Sequence, residues 1–234
     1  MNHSTLGRKA ASGRWLSVCL FGSAALLLAL LGVYTATKNR SVVLKGHLAD
    51  VRALAFSPDG KVLASGGTDC SIKLWDWASG KEVASLDPPE GRFVPGHPEQ
   101  SAYDPVEGNP PFIESFSFST DGKTLAVGTT DESIRLWDMT KQEQRLKIKL
   151  DYTGRHKGGN DVFGVAISPD GESVASASFD GKVRLWSTET GKLIRTVGSM
   201  SGHAYGVAIV PDGDLLASCG EKGEVRVWDL KKEE

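Results

Sequence analysis

From residue 41 onward the apolar residues fall in short runs that alternate with polar ones and are cut by turn residues at regular intervals. Val51 to Phe56 is a β-rich run ended by Ser57-Pro58-Asp59-Gly60. Proline presets φ for such a turn, and glycine takes the positive φ that closes it. Val62, Leu63 and Ala64 begin the next predicted strand, and Gly66, Gly67 and Asp69 mark the next turn. Ile72, Lys73, Leu74 and Trp75 alternate with period two, as a strand with one buried face should. A further run follows Ser79-Gly80, at Lys81 to Leu86, so one unit predicts four strands.

The unit recurs as FSPDGKVLASGGTDCSIKLWD, FSTDGKTLAVGTTDESIRLWD, ISPDGESVASASFDGKVRLWS and IVPDGDLLASCGEKGEVRVWD. In each copy an Asp-Gly turn precedes a tryptophan by sixteen residues, at Asp59/Trp75, Asp121/Trp137, Asp170/Trp186 and Asp212/Trp228. Repetition of this kind marks a repeat architecture, in which each unit buries its apolar face against its neighbour. Fourth runs also follow the second and third units, at Arg145 to Leu150 and Lys192 to Val197, but none follows the last. Ser41 to Leu44 is a spare strand ahead of the first unit. Its pairing with the last unit is expected to close the array and remove an exposed edge.

These residues resemble the WD-repeat (Trp-Asp repeat) family of β-propellers over about Val42 to Leu230. The resemblance implies an all-β fold with one blade of four antiparallel strands per unit. It also implies a buried hydrogen-bond network of His, Ser or Thr, Asp and Trp in each blade. The first unit has the full set, His47, Ser65, Asp69 and Trp75. The second keeps Asp131 and Trp137 but has Val127 in the serine place, and the third has Ser176, Asp180 and Trp186 with an offset His156. The fourth has Ser218 and Trp228, with Lys222 replacing the turn aspartate and His203 eight residues before Pro211, against eleven from His47 to Pro58. Blades two and four are expected to be the softer ones.

Four units are few for a family whose rings most often have about seven blades. The insert from Asp87 to Pro111 does not supply another, because its seven prolines remove ladder donors. A tight ring, an open arc, and a homodimer or pairing with another propeller half are the alternatives. An arc leaves apolar flanks uncovered, which favours the pairing.

The first forty residues read differently. Trp15 to Ala36 carries no charge, with Trp15 and Tyr34 near its ends. About twenty apolar residues cross a bilayer core of roughly 30 Å, and interfacial aromatics belong at its edges. The expected organisation is a basic tail at 1–14, a transmembrane signal-anchor helix at 15–37, and the propeller at 38–234 with its insert at 87–111. A cleaved signal peptide is the competing reading, weakened by the length of the apolar run and by poor small-residue spacing. A tail without acidic residues points inward, which makes the protein single-pass with an extracytoplasmic propeller.

Composition removes several function classes. A net charge of −2 gives no electrostatic pull on nucleic acid. Cys19, Cys70 and Cys219 occupy unrelated places, so no disulfide framework or metal spacing arises. His, Ser and Asp recur in copies inside apolar strands, whereas a nucleophilic site needs one exposed elbow and one oxyanion hole. The stretch Ser65-Gly66-Gly67-Thr68 lacks the spacing and lysine of a phosphate loop. Quinone-dependent propeller dehydrogenases follow Thr-Gly-Lys with a tryptophan, but Thr190-Gly191-Lys192 here is followed by Leu193-Ile194. No catalytic, cofactor or metal residue is therefore assigned, and the chain reads as no enzyme.

Protein partners remain. In this topology the loops entering each unit and the second turn of each unit share one end of the blades. The insert brings Phe93 and Tyr103 there, the 151–160 loop brings Arg155 and Lys157, and the turns bring Thr68, Thr130, Phe179 and Glu221. Aromatic anchors within a polar rim are what protein interfaces use. The sequence thus predicts a membrane-anchored, non-catalytic interaction scaffold, with a structural component of a larger membrane assembly as the alternative.

Overall fold

The structure is a computed structural model that describes residues 41–86, 111–150 and 161–232. The strands form where the alternating runs predict them. Blade one comprises β1 (Val51–Phe56), β2 (Val62–Gly67), β3 (Ile72–Asp76) and β4 (Lys81–Leu86). Blade two comprises β5 (Ile113–Phe118), β6 (Thr124–Thr129), β7 (Ser133–Asp138) and β8 (Glu143–Lys149). Blade three comprises β9 (Val162–Ile167), β10 (Ser173–Ser178), β11 (Lys182–Ser187) and β12 (Leu193–Ser199). Blade four has β13 (Ala204–Ile209), β14 (Leu215–Gly220) and β15 (Val225–Asp229). Each is an antiparallel meander with its strands in sequence order.

The Asp-Gly turns build themselves. In the first, Asp59 Oδ1 accepts from Ser57 Oγ at 2.7 Å and from the Lys61 amide at 3.1 Å, while Gly60 takes φ +68°. The same bonds recur around Asp121 and Asp170.

The core lies between blades rather than within them. Ile72 and Leu74 of blade one pack with Leu125, Val127 and Trp137 of blade two. Ile134 and Leu136 pack in turn with Val165, Val174 and Trp186, and Val183 and Leu185 with Leu216 and Trp228. One flank of each blade, carrying the apolar pair of its third strand, therefore fits the tryptophan flank of the next. The turns follow the same stagger: Thr120 Oγ1 in blade two donates to the Pro169 carbonyl in blade three at 2.9 Å.

Closure by the spare strand is not what the structure shows. Ser41 to Leu44 has no strand conformation, and Val42 lies beside Gly80 in blade one. Among the described residues, β15 pairs with β14 and with no other strand. The reason is geometric. Inner strands pack in succession, β1 on β5, β5 on β9 and β9 on β13, but β13 does not pack on β1 in this way. A segment preceding β1 is thus at the wrong end of the series to reach β15. The expected helix at 15–37 lies outside the described residues, among which no helix is long and apolar enough to cross a membrane.

Candidate interaction surface

One backbone bond per blade defines a common end, which we call the top. Thr68 N donates to Asp50 O at 2.9 Å, Thr130 N to Phe112 O at 3.1 Å, Phe179 N to Asp161 O at 2.9 Å, and Glu221 N to His203 O at 3.0 Å. The bond ties the second turn of each blade to the loop entering its inner strand. It also puts Thr68, Thr130, Phe179 and Glu221 at equivalent places, beside Arg52, Glu114, Phe163 and Tyr205, the second residue of each inner strand.

The four positions are used differently. Thr68 Oγ1 accepts from the Asp50 amide and Thr130 Oγ1 from the Phe112 amide, each at 3.0 Å, so both hydroxyls close their own loops. Phe179 instead stacks on His203 with ring centroids 3.8 Å apart. Phe163 lies 6.3 Å from Phe179 and meets Tyr205 edge-on at 5.4 Å. Tyr205 Oη donates to Glu221 Oε1 at 3.3 Å, and His203 Nε2 is 3.5 Å from the same oxygen. The result is an aromatic cluster with one carboxylate, in which Tyr205 is 45% exposed.

Towards blades one and two the same end is polar. Arg52 pairs with Glu114 and lies over the Phe112 ring, 5.8 Å from its centroid. Asp161 is buried there, and desolvation, with Glu114 and Glu132 nearby, pushes its carboxyl up to about 7.

Of the residues expected to meet a partner, Phe179 and Glu221 are brought together, while Thr68 and Thr130 are turned to loop closure. Phe93, Tyr103, Arg155 and Lys157 lie outside the described residues. Phe163, His203 and Tyr205 are not singled out by the sequence, although aligning Asp161-Val162-Phe163-Gly164 with His203-Ala204-Tyr205-Gly206 displays an aromatic at one repeat position.

Beneath the top end runs the buried network. In blade one His47 Nδ1 donates to Asp69 Oδ2 at 2.8 Å, Ser65 Oγ donates to His47 Nε2 at 2.6 Å, and Trp75 Nε1 donates to Ser65 Oγ at 2.7 Å. Burial raises the Asp69 carboxyl, but the bonds from His47 and the Leu48 amide outweigh it and hold the group at about 2. The ionised carboxylate fixes the tautomer, and every polar atom in the chain Asp69–His47–Ser65–Trp75 is satisfied. Ser65 is buried and engaged on both sides, so the arrangement stabilises rather than activates it.

Blades two and three satisfy the turn aspartate by another route. Arg135 Nη2 donates to Asp131 Oδ2 at 2.7 Å, joined by Lys147 Nζ at 3.0 Å and by the Thr129 and Ser133 hydroxyls. Arg184 pairs with Asp180 through both terminal nitrogens, with Nη1 to Oδ1 at 3.1 Å. Each arginine stands two residues before its tryptophan and is buried. Trp186 donates to Ser176 Oγ at 2.9 Å and Trp228 to Ser218 Oγ at 2.8 Å. Lys222 takes φ +60° in the turn of blade four and supplies no carboxylate. His156 lies outside the described residues.

The WD domain, G-beta repeat family matches residues 38–76, 105–138, 149–187 and 191–229, well over half of the chain. The chain belongs to the WD-repeat family. Among relatives, nuclear distribution protein nudF 1 of Talaromyces marneffei is 29% identical over 159 residues, 68% of this chain and 29% of that protein. The B subunit of chromatin assembly factor 1 of Mus musculus is 27% identical over 66% of this chain and 26% of its own length. The small ribosomal subunit protein RACK1 of Schizosaccharomyces pombe is 29% identical over 60% of this chain and 38% of its own. This WD-repeat chain thus spans less than two-fifths of these relatives. Among solved structures, U3-55K superposes with a TM-score of 0.62 at 24% identity, over 82% of this chain and 52% of that one, a likeness of fold.

Proposed function

We propose that this WD-repeat protein is a membrane-anchored, non-catalytic scaffold that docks a protein partner at its top end over blades three and four. The observation that carries the reading is the cluster of Phe163, Phe179, His203 and Tyr205 around Glu221. Aromatic side chains with one exposed edge and a polar rim are the usual anchors of protein interfaces. The relatives support it in kind, since a chromatin assembly factor component and a small ribosomal subunit protein are by name parts of assemblies. Anchoring rests on the uncharged run Trp15–Ala36, with the basic tail inside and the propeller outside.

Two experiments test the reading. Full-length protein carrying Phe179→Ala and Tyr205→Ala should lose the proteins that co-purify with wild type from membranes, while its far-ultraviolet circular dichroism is kept. An unchanged set contradicts docking at this surface. The wild-type chain should stay with the membrane through alkaline carbonate extraction, and release into the supernatant contradicts the anchor.

A further inference from the structure

The two terminal blades each leave one flank uncovered, and the flanks are of opposite kinds. Blade one presents a tryptophan flank, the kind that blades two, three and four bury. On it Leu54 is 64%, Phe56 58% and Trp77 43% exposed. The corresponding residues of blade two, Phe116, Phe118 and Met139, are packed into the joint with blade one. Blade four presents the other kind, with Leu215 39%, Val225 70% and Val227 66% exposed. The residues equivalent to Val225 and Val227 are Ile72 and Leu74, Ile134 and Leu136, and Val183 and Leu185, and all six are at most 7% exposed.

Three joints within the chain already show what each flank fits: the flank of blade four accepts the flank that blade one carries. The finer features agree. Pro58 and Pro169 nest against Gly122 and Gly213 of the following blades, at 3.5 and 3.8 Å from a Cβ built there. Pro211 is exposed, and a Cβ at Gly60 would meet nothing within 4 Å. Both halves of a third such contact are therefore present and unused.

We propose that a second copy of this chain covers both flanks, blade four of each copy packing on blade one of the other in a two-fold ring of eight blades. The edge of β15, unpaired among the described residues, supports the same occupant. Strands β4, β8 and β12 each lie between their own third strand and the connection to the next blade. Val42 to Leu44 stands ahead of β1 as β12 stands ahead of β13. Trp75 leaves no room for a side chain at Gly46, as Trp228 leaves none at Gly198 of β12. The segment thus already rests over blade one where the outer strand of a preceding blade rests. In the ring that preceding blade is blade four of the partner copy, and Val42 to Leu44 pairs with its β15. Two joints bring together twelve large apolar side chains. At about 60–120 Å² for a buried aliphatic and 150–250 Å² for an aromatic, and about half of each available, these side chains alone supply roughly 500–1,000 Å², and the pairing of Val42 to Leu44 with β15 adds to it, against the roughly 1,000 Å² that a specific interface should clear. Closing the ring also covers the edge of β15, which pairs only with β14 among the described residues of the single chain.

The test uses the full-length chain purified in mild non-ionic detergent. Its protein mass by light scattering should be twice the 25.0 kDa of one chain. The variant Val225→Asp/Val227→Asp should be monomeric with unchanged circular dichroism, because both positions are exposed in the single chain. Mixed Phe56→Cys and Val227→Cys proteins, each also Cys219→Ser, should form a disulfide-linked heterodimer under mild oxidation, and neither alone should form the linked pair. A wild-type monomer, a dimer that survives the double aspartate variant, or failure of the mixed cysteines to link each overturns the proposal. The second of these assigns dimerisation to another part of the chain, and a wild-type monomer leaves the flanks to a different protein.

Discussion

Trp137 keeps the place of the blade tryptophan, but the residue facing its indole is Val127, and its N–H finds no acceptor among the described residues. In the other three blades a serine hydroxyl takes that proton at 2.7 to 2.9 Å. The same substitution therefore has different costs in different blades. Trp137→Phe removes a buried donor that has no partner, whereas Trp186→Phe leaves the buried Ser176 hydroxyl unsatisfied. Unfolding in urea should show Trp186→Phe to be the more destabilising by about 1–3 kcal/mol. Equal losses contradict the assignment.

Ser65 serves both His47 and Trp75, while the Ser176 hydroxyl serves Trp186. Ser65→Ala should cost about 2–3 kcal/mol and Ser176→Ala about 1–2 kcal/mol. Thermal melts of the two variants decide it, and the reverse order would show that the histidine bond adds nothing.

Arg184 and Asp180 form a pair with both side chains 7% exposed. Removing one partner of such a pair leaves a buried charge, at a cost of about 3–5 kcal/mol. Arg184→Ala should reach that range in equilibrium unfolding. Arg184→Ala/Asp180→Asn should recover part of the loss, and an additive double variant contradicts the coupling.

Stability should depend on pH with opposite signs at two places. Despite burial, hydrogen bonds hold the folded carboxyls of Asp69 and Asp131 at about 2, below the ordinary 3.8. Their contribution is present above the unfolded value and is lost as pH falls through 3.8 towards 2, up to about 2 kcal/mol each. Asp161 runs the other way. Its folded carboxyl is raised to about 7, so stability declines as pH rises from 3.8 to 7. Asp161→Asn should stabilise the protein by about 2–4 kcal/mol at pH 8 and by nothing measurable at pH 4. A gain of the same size at both values contradicts the assignment.

Much of this was legible in the sequence. The strands follow from period-two alternation between Asp-Gly turns, and the unpartnered indole follows from Val127 standing where Ser65, Ser176 and Ser218 stand. The role of Arg135 and Arg184 was not legible. Each occupies the polar step of an alternating strand, as Lys73 does, and nothing local says that two of these cations turn inward to replace a histidine. The aromatic cluster was half visible: Phe179 and Glu221 are turn residues, but Phe163 and Tyr205 read as ordinary inner-strand residues. Closure by Ser41 to Leu44 failed because sequence periodicity gives the number of blades and not whether the two ends meet. That depends on the rotation accumulated at each joint. In blade two the place of the missing histidine beside Asp131 is taken by Arg135 and Lys147.

The scaffold reading is tested most directly by a photo-crosslinking amino acid at position 205 in the full-length chain, irradiated in its own membranes. A discrete protein adduct is predicted there. It should be lost when Phe179→Ala is added, and it should be absent when the crosslinker stands at Val83, an exposed position on the outer strand of blade one. No adduct at 205, or the same adducts from both positions, would contradict docking at the top of blades three and four.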